Sequence, residues 1–123
     1  MNLVDSSGWL EYFTASSNAA IFTPIIESTD ELIVSVINLY EVYKRVLMDQ
    51  DETSALQAIG IMQQAKVIDI NPLIALYASR FSYDHKLPMA DSLIYATAKL
   101  NDSVIWTQDS DFKNLTDVKY IKK

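Results

Sequence analysis

Four acidic residues stand where chemistry could be built around them: Asp5, Glu41, Asp91 and Asp109. Asp5 closes the apolar stretch Asn2-Leu-Val, and Glu41 falls in the early turns of a helix following Leu32–Val36. Asp91 lies in the first turns after Pro88, and Asp109 follows Val104–Thr107. Carboxylates gathered at one place repel one another, so they stay ionised only if a cation neutralises them or some of them take up protons. A hard divalent cation is the natural partner. Oxygen ligands favour Mg²⁺, Mn²⁺ or Ca²⁺, and a chain with no Cys and one His, His85, is poorly equipped for the thiolate or imidazole sites of zinc and copper. Such an ion polarises a phosphodiester, lowers the pKa of a bound water and neutralises charge on the leaving oxygen, which is hydrolysis without a side-chain nucleophile.

Taken singly, each acid has another use. Asp5 before Ser6-Ser7 could cap a helix, Asp91 could complement a helix dipole, and Asp109 and Asp111 in Gln108-Asp-Ser-Asp111 could be turn residues. Glu41 departs further from an ordinary solvated charge, because it sits beside Tyr40 and four residues after Ile37, near the apolar stripe of its helix.

The elements that must bring these acids together alternate along the chain. Strands are expected at Asn2–Asp5, Leu32–Val36, Lys66–Ile70, Val104–Thr107 and, at the end, Val118–Ile121, from their short apolar and β-branched runs. Helical pieces are expected at Trp9–Phe13 and Ala19–Ile26, the second capped from Ser16-Ser17-Asn18. Val36, Leu39, Tyr40, Tyr43 and Leu47 predict an amphipathic helix, and Leu56, Ile59 and Gln63 a second one after Asp51-Glu52. Asn71-Pro72 opens a helix over Leu73–Tyr83. Pro88 opens another, with Met89, Leu93, Ala96 and Leu100 on one face. This alternation predicts an α/β fold with a mostly parallel central sheet of four to five strands flanked by helices, and open sheets of that kind bind ligands beyond the carboxyl ends of their strands.

The 123 residues, half of them hydrophobic, suit one domain spanning 1–123. Two Gly and three Pro leave little material for linkers. The absence of Cys fits a reducing, cytoplasmic setting. No apolar run approaches the roughly 20 residues of a membrane span, so no membrane partner is expected. The net charge of -6 opposes long-range attraction to nucleic acid, which leaves a polyanionic substrate to be argued from local chemistry. His85 reads as a helix-end residue, and Lys86 and the Lys44-Arg45 pair as solvated faces that could also meet phosphate. Tyr12, Tyr40, Tyr43, Tyr77, Tyr83 and Tyr95 could stack on bases, but their helical spacing assigns most of them to the core. Lys113, Lys119, Lys122 and Lys123 make the C-terminal stretch the least acidic part.

Leu3-Val-Asp-Ser-Ser-Gly-Trp-Leu-Glu-Tyr-Phe13 resembles the opening of PIN-domain ribonucleases of the VapC toxin type. Ser35-Val-Ile-Asn-Leu-Tyr-Glu-Val42 resembles their second block, Leu87-Pro-Met-Ala-Asp-Ser-Leu-Ile-Tyr-Ala-Thr-Ala98 their third, and Trp106-Thr-Gln-Asp-Ser-Asp-Phe112 the closing one. The four blocks occur in order across the whole chain. The resemblance implies a single PIN domain and an endoribonuclease dependent on Mg²⁺ or Mn²⁺, with an RNA substrate, a cognate antitoxin as partner and a homodimeric assembly. It assigns Asp5, Glu41, Asp91 and Asp109 to catalysis and metal binding, adds Asp111 as a metal ligand, and makes Ser6 and Thr107 supporting hydroxyls. Two other functions remain open at this point. A receiver-like phosphorylated signalling domain would also carry acids at a sheet edge, but it calls for an adjacent acidic pair after the first strand, where Asp5 is alone. A PIN-fold protein without catalysis is the other, and the intact set of four acids counts against it.

Overall fold

In the computed structural model, which describes residues 1–123, the apolar runs form five strands: β1 (Asn2–Val4), β2 (Leu32–Ser35), β3 (Lys66–Ile68), β4 (Val104–Thr107) and β5 (Val118–Tyr120). Six helices intervene: α1 (Ser6–Phe13), α2 (Ala19–Glu27), α3 (Val36–Asp49), α4 (Glu52–Met62), α5 (Pro72–His85) and α6 (Met89–Lys99). The strands lie in the order β3-β2-β1-β4-β5, and all four pairings are parallel. A receiver domain has the order 2-1-3-4-5, so the topology removes that reading. Asp69, expected inside the third strand, follows it, because the pairing with β2 ends at Ile68.

Side chains alternate across the sheet with the two-residue period of a strand. Val4, Leu32 and Val34 face one apolar cluster, covered by α1 to α4 through Trp9, Phe22, Val42 and Met62. Leu3, Ile33 and Ile105 face the other, covered by Ile94, Tyr95 and Ala98 of α6, with Phe81 of α5 against it. Both faces are therefore buried, which is why these strands read as continuous apolar runs and not as alternating ones.

Three expected helix faces are rotated from where the sequence put them. On α3 the buried residues are Asn38, Val42 and Val46, while Tyr40 and Leu47 are exposed. On α4 they are Ala55, Ala58 and Met62, with Leu56 outside. On α6 they include Asp91, Ile94, Tyr95 and Ala98, and Met89 is 76% exposed. The shift is partial: Leu39, Tyr43, Ile59 and Leu93 pack against the core from its edge, and Ala96 is fully buried as expected. On α3 and α4 small or polar residues take the centre of the buried face, which counting large apolar residues does not select. The tyrosines follow suit. Tyr95 is buried, Tyr12 and Tyr43 are half-buried against the core, and Tyr40, Tyr77 and Tyr83 are exposed. His85 ends α5 and stacks on Phe81.

Candidate metal centre

The strand order reverses direction between β1 and β4, the place where an open parallel sheet leaves a crevice at its carboxyl edge. Asp5 follows β1 there, and the backbone N–H of Asp5 donates to the Trp106 carbonyl of β4 at 2.9 Å. Asp5 occupies the N-cap position of α1, yet its side chain makes no capping hydrogen bond. Its Oδ2 instead accepts from Thr107 Oγ1 at 2.9 Å and from Ser7 Oγ at 3.0 Å. The capping alternative for Asp5 therefore has no geometric support.

Thr107 serves both sides of the crevice. While donating to Asp5, its Oγ1 accepts from the backbone N–H of Asp109 at 2.9 Å, fixing the loop that carries that acid. Asp109 Oδ1 in turn accepts from the Asp111 N–H at 2.9 Å, which opens a single 3-10 turn over Ser110–Phe112. From the other side, Ser6 Oγ donates to Glu41 Oε1 at 2.7 Å and accepts from Asn38 Nδ2 at 3.0 Å. Asn38 Oδ1 closes the capping box of α3 by accepting from Ser35 N–H at 3.1 Å. A fully buried Asn thus ties the start of α3, and with it Glu41, to the serine following Asp5.

Asp5, Glu41, Asp91 and Asp109 line one cavity of about 400 Å³, with Lys44 and Arg45 at its margin. Oxygens of Asp91, Asp109 and Asp111 all lie within 4.8 Å of one another. Asp111 is exposed and does not line the cavity, so it belongs to the rim. No Lys or Arg forms an ion pair with any of these five acids. The three ion pairs of the chain are Arg45–Asp49, Arg80–Asp84 and Lys99–Asp117. The electrostatic consequence is direct. Burial pushes the Asp5 carboxyl up to about 6, against the lowering effect of its Thr107 and Ser7 hydrogen bonds. Burial, hydrogen bonding with Asp111 and the charges of Asp109 and Asp5 push Asp91 up to about 8. An all-oxygen cluster that suffers from its own negative charge and has no protein cation paired to it fits a hard divalent ion.

Ser7 and Asn38 were not singled out from the sequence. Ser7 donates to Asp5 and accepts from the backbone N–H of Gln108 at 3.0 Å, joining α1 to the loop after β4. The usable signal for Asn38 was its place three residues after Ser35, the spacing of a capping box. Asn18, expected to cap α2, makes no such bond, and its Nδ2 donates to Gln108 Oε1 and to the Lys122 carbonyl instead.

The family model for PIN domains matches residues 3–118. The chain belongs to the PIN domain family. Among solved structures of similar fold, a toxin-antitoxin complex from Klebsiella pneumoniae has a TM-score of 0.83 at 21% identity, covering 100% of both chains. A sarcin-ricin loop cleaving toxin, VapC20 of Mycobacterium tuberculosis, has a TM-score of 0.80 at 14% identity, covering 100% of this chain and 98% of that one. DNA-bound VapBC from Salmonella typhimurium has 0.79 at 14%, covering 99% and 98%. At these identities the likeness is one of fold. No curated protein sequence matches the chain. In this PIN domain, each of the four sequence blocks supplies one of the acids lining the cavity.

Proposed function

We propose that this PIN domain is a metal-dependent endoribonuclease, the toxin of a toxin-antitoxin pair. The observation that carries the reading is a set of buried and half-buried carboxylates lining one cavity at the switch point of the sheet, with no cationic side chain paired to them. Asp5, Glu41, Asp91 and Asp109 would hold Mg²⁺ or Mn²⁺, with Asp111 contributing from the rim. Such an ion, when bound, supplies Lewis-acid polarisation of a phosphodiester and a more acidic water.

The remaining work falls to the chain itself. Thr107 and Ser7 fix Asp5 in one orientation, Ser6 and Asn38 do so for Glu41, and the 3-10 turn holds Asp109 toward the cavity. Preorganised oxygen ligands of this sort lose little freedom when the ion and the phosphate arrive. Proteins of the same fold that are described as a sarcin-ricin loop cleaving toxin and as toxin-antitoxin complexes support RNA as substrate and a protein antitoxin as partner.

A covalently closed circular RNA tests the endonucleolytic part, because it offers no end to an exonuclease. With Mn²⁺ present, the protein should linearise it and Asp91→Asn should not. Intact circles with the wild type, or cutting by Asp91→Asn, would remove the proposed site. An antitoxin can silence such an acidic cleft by offering Arg or Lys to its carboxylates. Co-expression with the product of a neighbouring small gene should therefore give a stable, inactive complex, and an equally active complex contradicts that mode of control.

A further inference from the structure

α3 turns Asn38, Val42 and Val46 inward. That leaves Tyr40, Lys44 and Met48, spaced four residues apart, on one face of the helix along the cavity that holds the acids. Tyr40 is 64% exposed and Met48 70%, so neither serves the core. The Lys44 ammonium stands 5.9 Å from the centre of the Tyr40 ring. Beyond Ser7 and Asp109, which border both spaces, a second depression of about 510 Å³ continues past Tyr120 to Lys122 and Lys123. Four of the chain's 10 Lys and Arg, namely Lys44, Arg45, Lys122 and Lys123, thus border a groove whose middle is acidic, in a molecule of net charge -6; Arg45 is paired with Asp49, and the three lysines have no acidic partner.

The geometry points to a track for an unpaired RNA strand crossing the acidic site, with one base stacked on Tyr40, its phosphate at Lys44, and the phosphates beyond the acids at Lys122 and Lys123. This rests on the nuclease reading above and adds the side chains that hold the strand on either side of the acids. An aromatic ring beside cations is the combination that binds single strands irrespective of base, through a stacked base and a neutralised phosphate. A duplex hides its base faces within the helical stack, so Tyr40 has nothing to stack on there. A basic antitoxin peptide would be drawn to the acids but repelled by Lys44, Lys122 and Lys123, which is why RNA is favoured as the occupant of this track.

Asp91→Asn provides an inert background for measuring the affinity of a short, fluorescein-labelled unstructured RNA. Adding Tyr40→Ala should weaken binding by about five-fold or more, the least expected when one base has no ring to stack on, and Tyr40→Phe should bind like the background. Lys44→Ala and the double change Lys122→Ala, Lys123→Ala should each flatten the salt dependence, by about 0.7 in log–log slope for every phosphate that is no longer neutralised. Duplex RNA of the same length should bind more weakly and ignore Tyr40. In the otherwise wild-type enzyme, Tyr40→Ala should raise KM with kcat largely kept. Unchanged affinity in Tyr40→Ala, or equal binding of the duplex, overturns the track while leaving the acidic site standing. So does a Tyr40→Ala variant that binds RNA normally but loses its antitoxin, which would give this surface to a peptide. Cleavage by Asp91→Asn removes the reading of the acidic site and the track with it.

Discussion

Asp5 and Asp91 carry the strain of the site, and their ionisation gives it a pH signature. A carboxyl whose pKa is raised on folding holds its proton more tightly in the folded state than in the unfolded one. The stability it contributes is full below the unfolded value of 3.8 and is lost as the pH climbs through the folded value, about 6 for Asp5. For a shift of that size the loss is about 3 kcal/mol. Asp91 extends the decline toward pH 8. The metal-free protein should accordingly melt at progressively lower temperature from pH 4 to pH 8. Asp91→Asn should flatten the upper half of that curve and raise the melting temperature at pH 8, and saturating Mn²⁺ should do the same for the wild type. A melting temperature independent of pH would contradict the buried charge cluster. Thr107→Val removes a hydrogen bond that holds the Asp5 pKa down, so the acid limb of the cleavage-rate profile should move to higher pH, and an unmoved limb would deny Thr107 that role. At this scale the sequence was partly legible. Asp5, Glu41, Asp91 and Asp109 could be named because strand ends and helix starts locate them, and Ser6 and Thr107 because a family pattern holds their places. Ser7 and Asn38 could not, since their roles depend on which loop comes to lie beside them.

At the scale of elements, strand order and helix placement decide whether the acids meet. The alternation of strands and helices was readable because both faces of the sheet are buried and the strands are uniformly apolar. The inward faces of α3 and α4 were read only at their edges, through Leu39, Tyr43 and Ile59, because tight packing at their centres selects Asn38, Ala55 and Ala58 over larger neighbours such as Tyr40 and Leu56. Gly8 is the sharpest case of such packing. A Cβ on it would lie 2.6 Å from Val4 Cγ1 and 2.7 Å from Phe22 Cε1, so α1 can cross β1 and α2 at this depth only without a side chain. Gly8→Ala should destabilise the fold by about 1–3 kcal/mol through overpacking and displace the Ser6 and Ser7 hydroxyls from the acids. Gly60→Ala, with nothing within 4 Å in α4, should stabilise by about 0.5–1 kcal/mol. Chemical denaturation of the two variants distinguishes them. Equal effects would mean that the α1 crossing is looser than described.

Across the whole molecule, net negative charge and the phosphodiester substrate proposed above are reconciled by where the charges lie. The acids converge at the switch point between β1 and β4, with cations at the margins of the groove. That convergence joins residues up to 104 positions apart, and no local window of sequence contains it. The most direct measurement is the initial rate at which purified protein cleaves unstructured RNA as Mn²⁺ is titrated into metal-free enzyme. If these carboxylates act by holding a metal, the rate starts at background in EDTA and rises to saturation with added ion. In Asp5→Asn or Asp91→Asn the curve shifts to higher Mn²⁺ and a lower plateau, while the protein remains folded. Cleavage that persists in EDTA, or a wild-type curve in Asp5→Asn, would place the chemistry elsewhere.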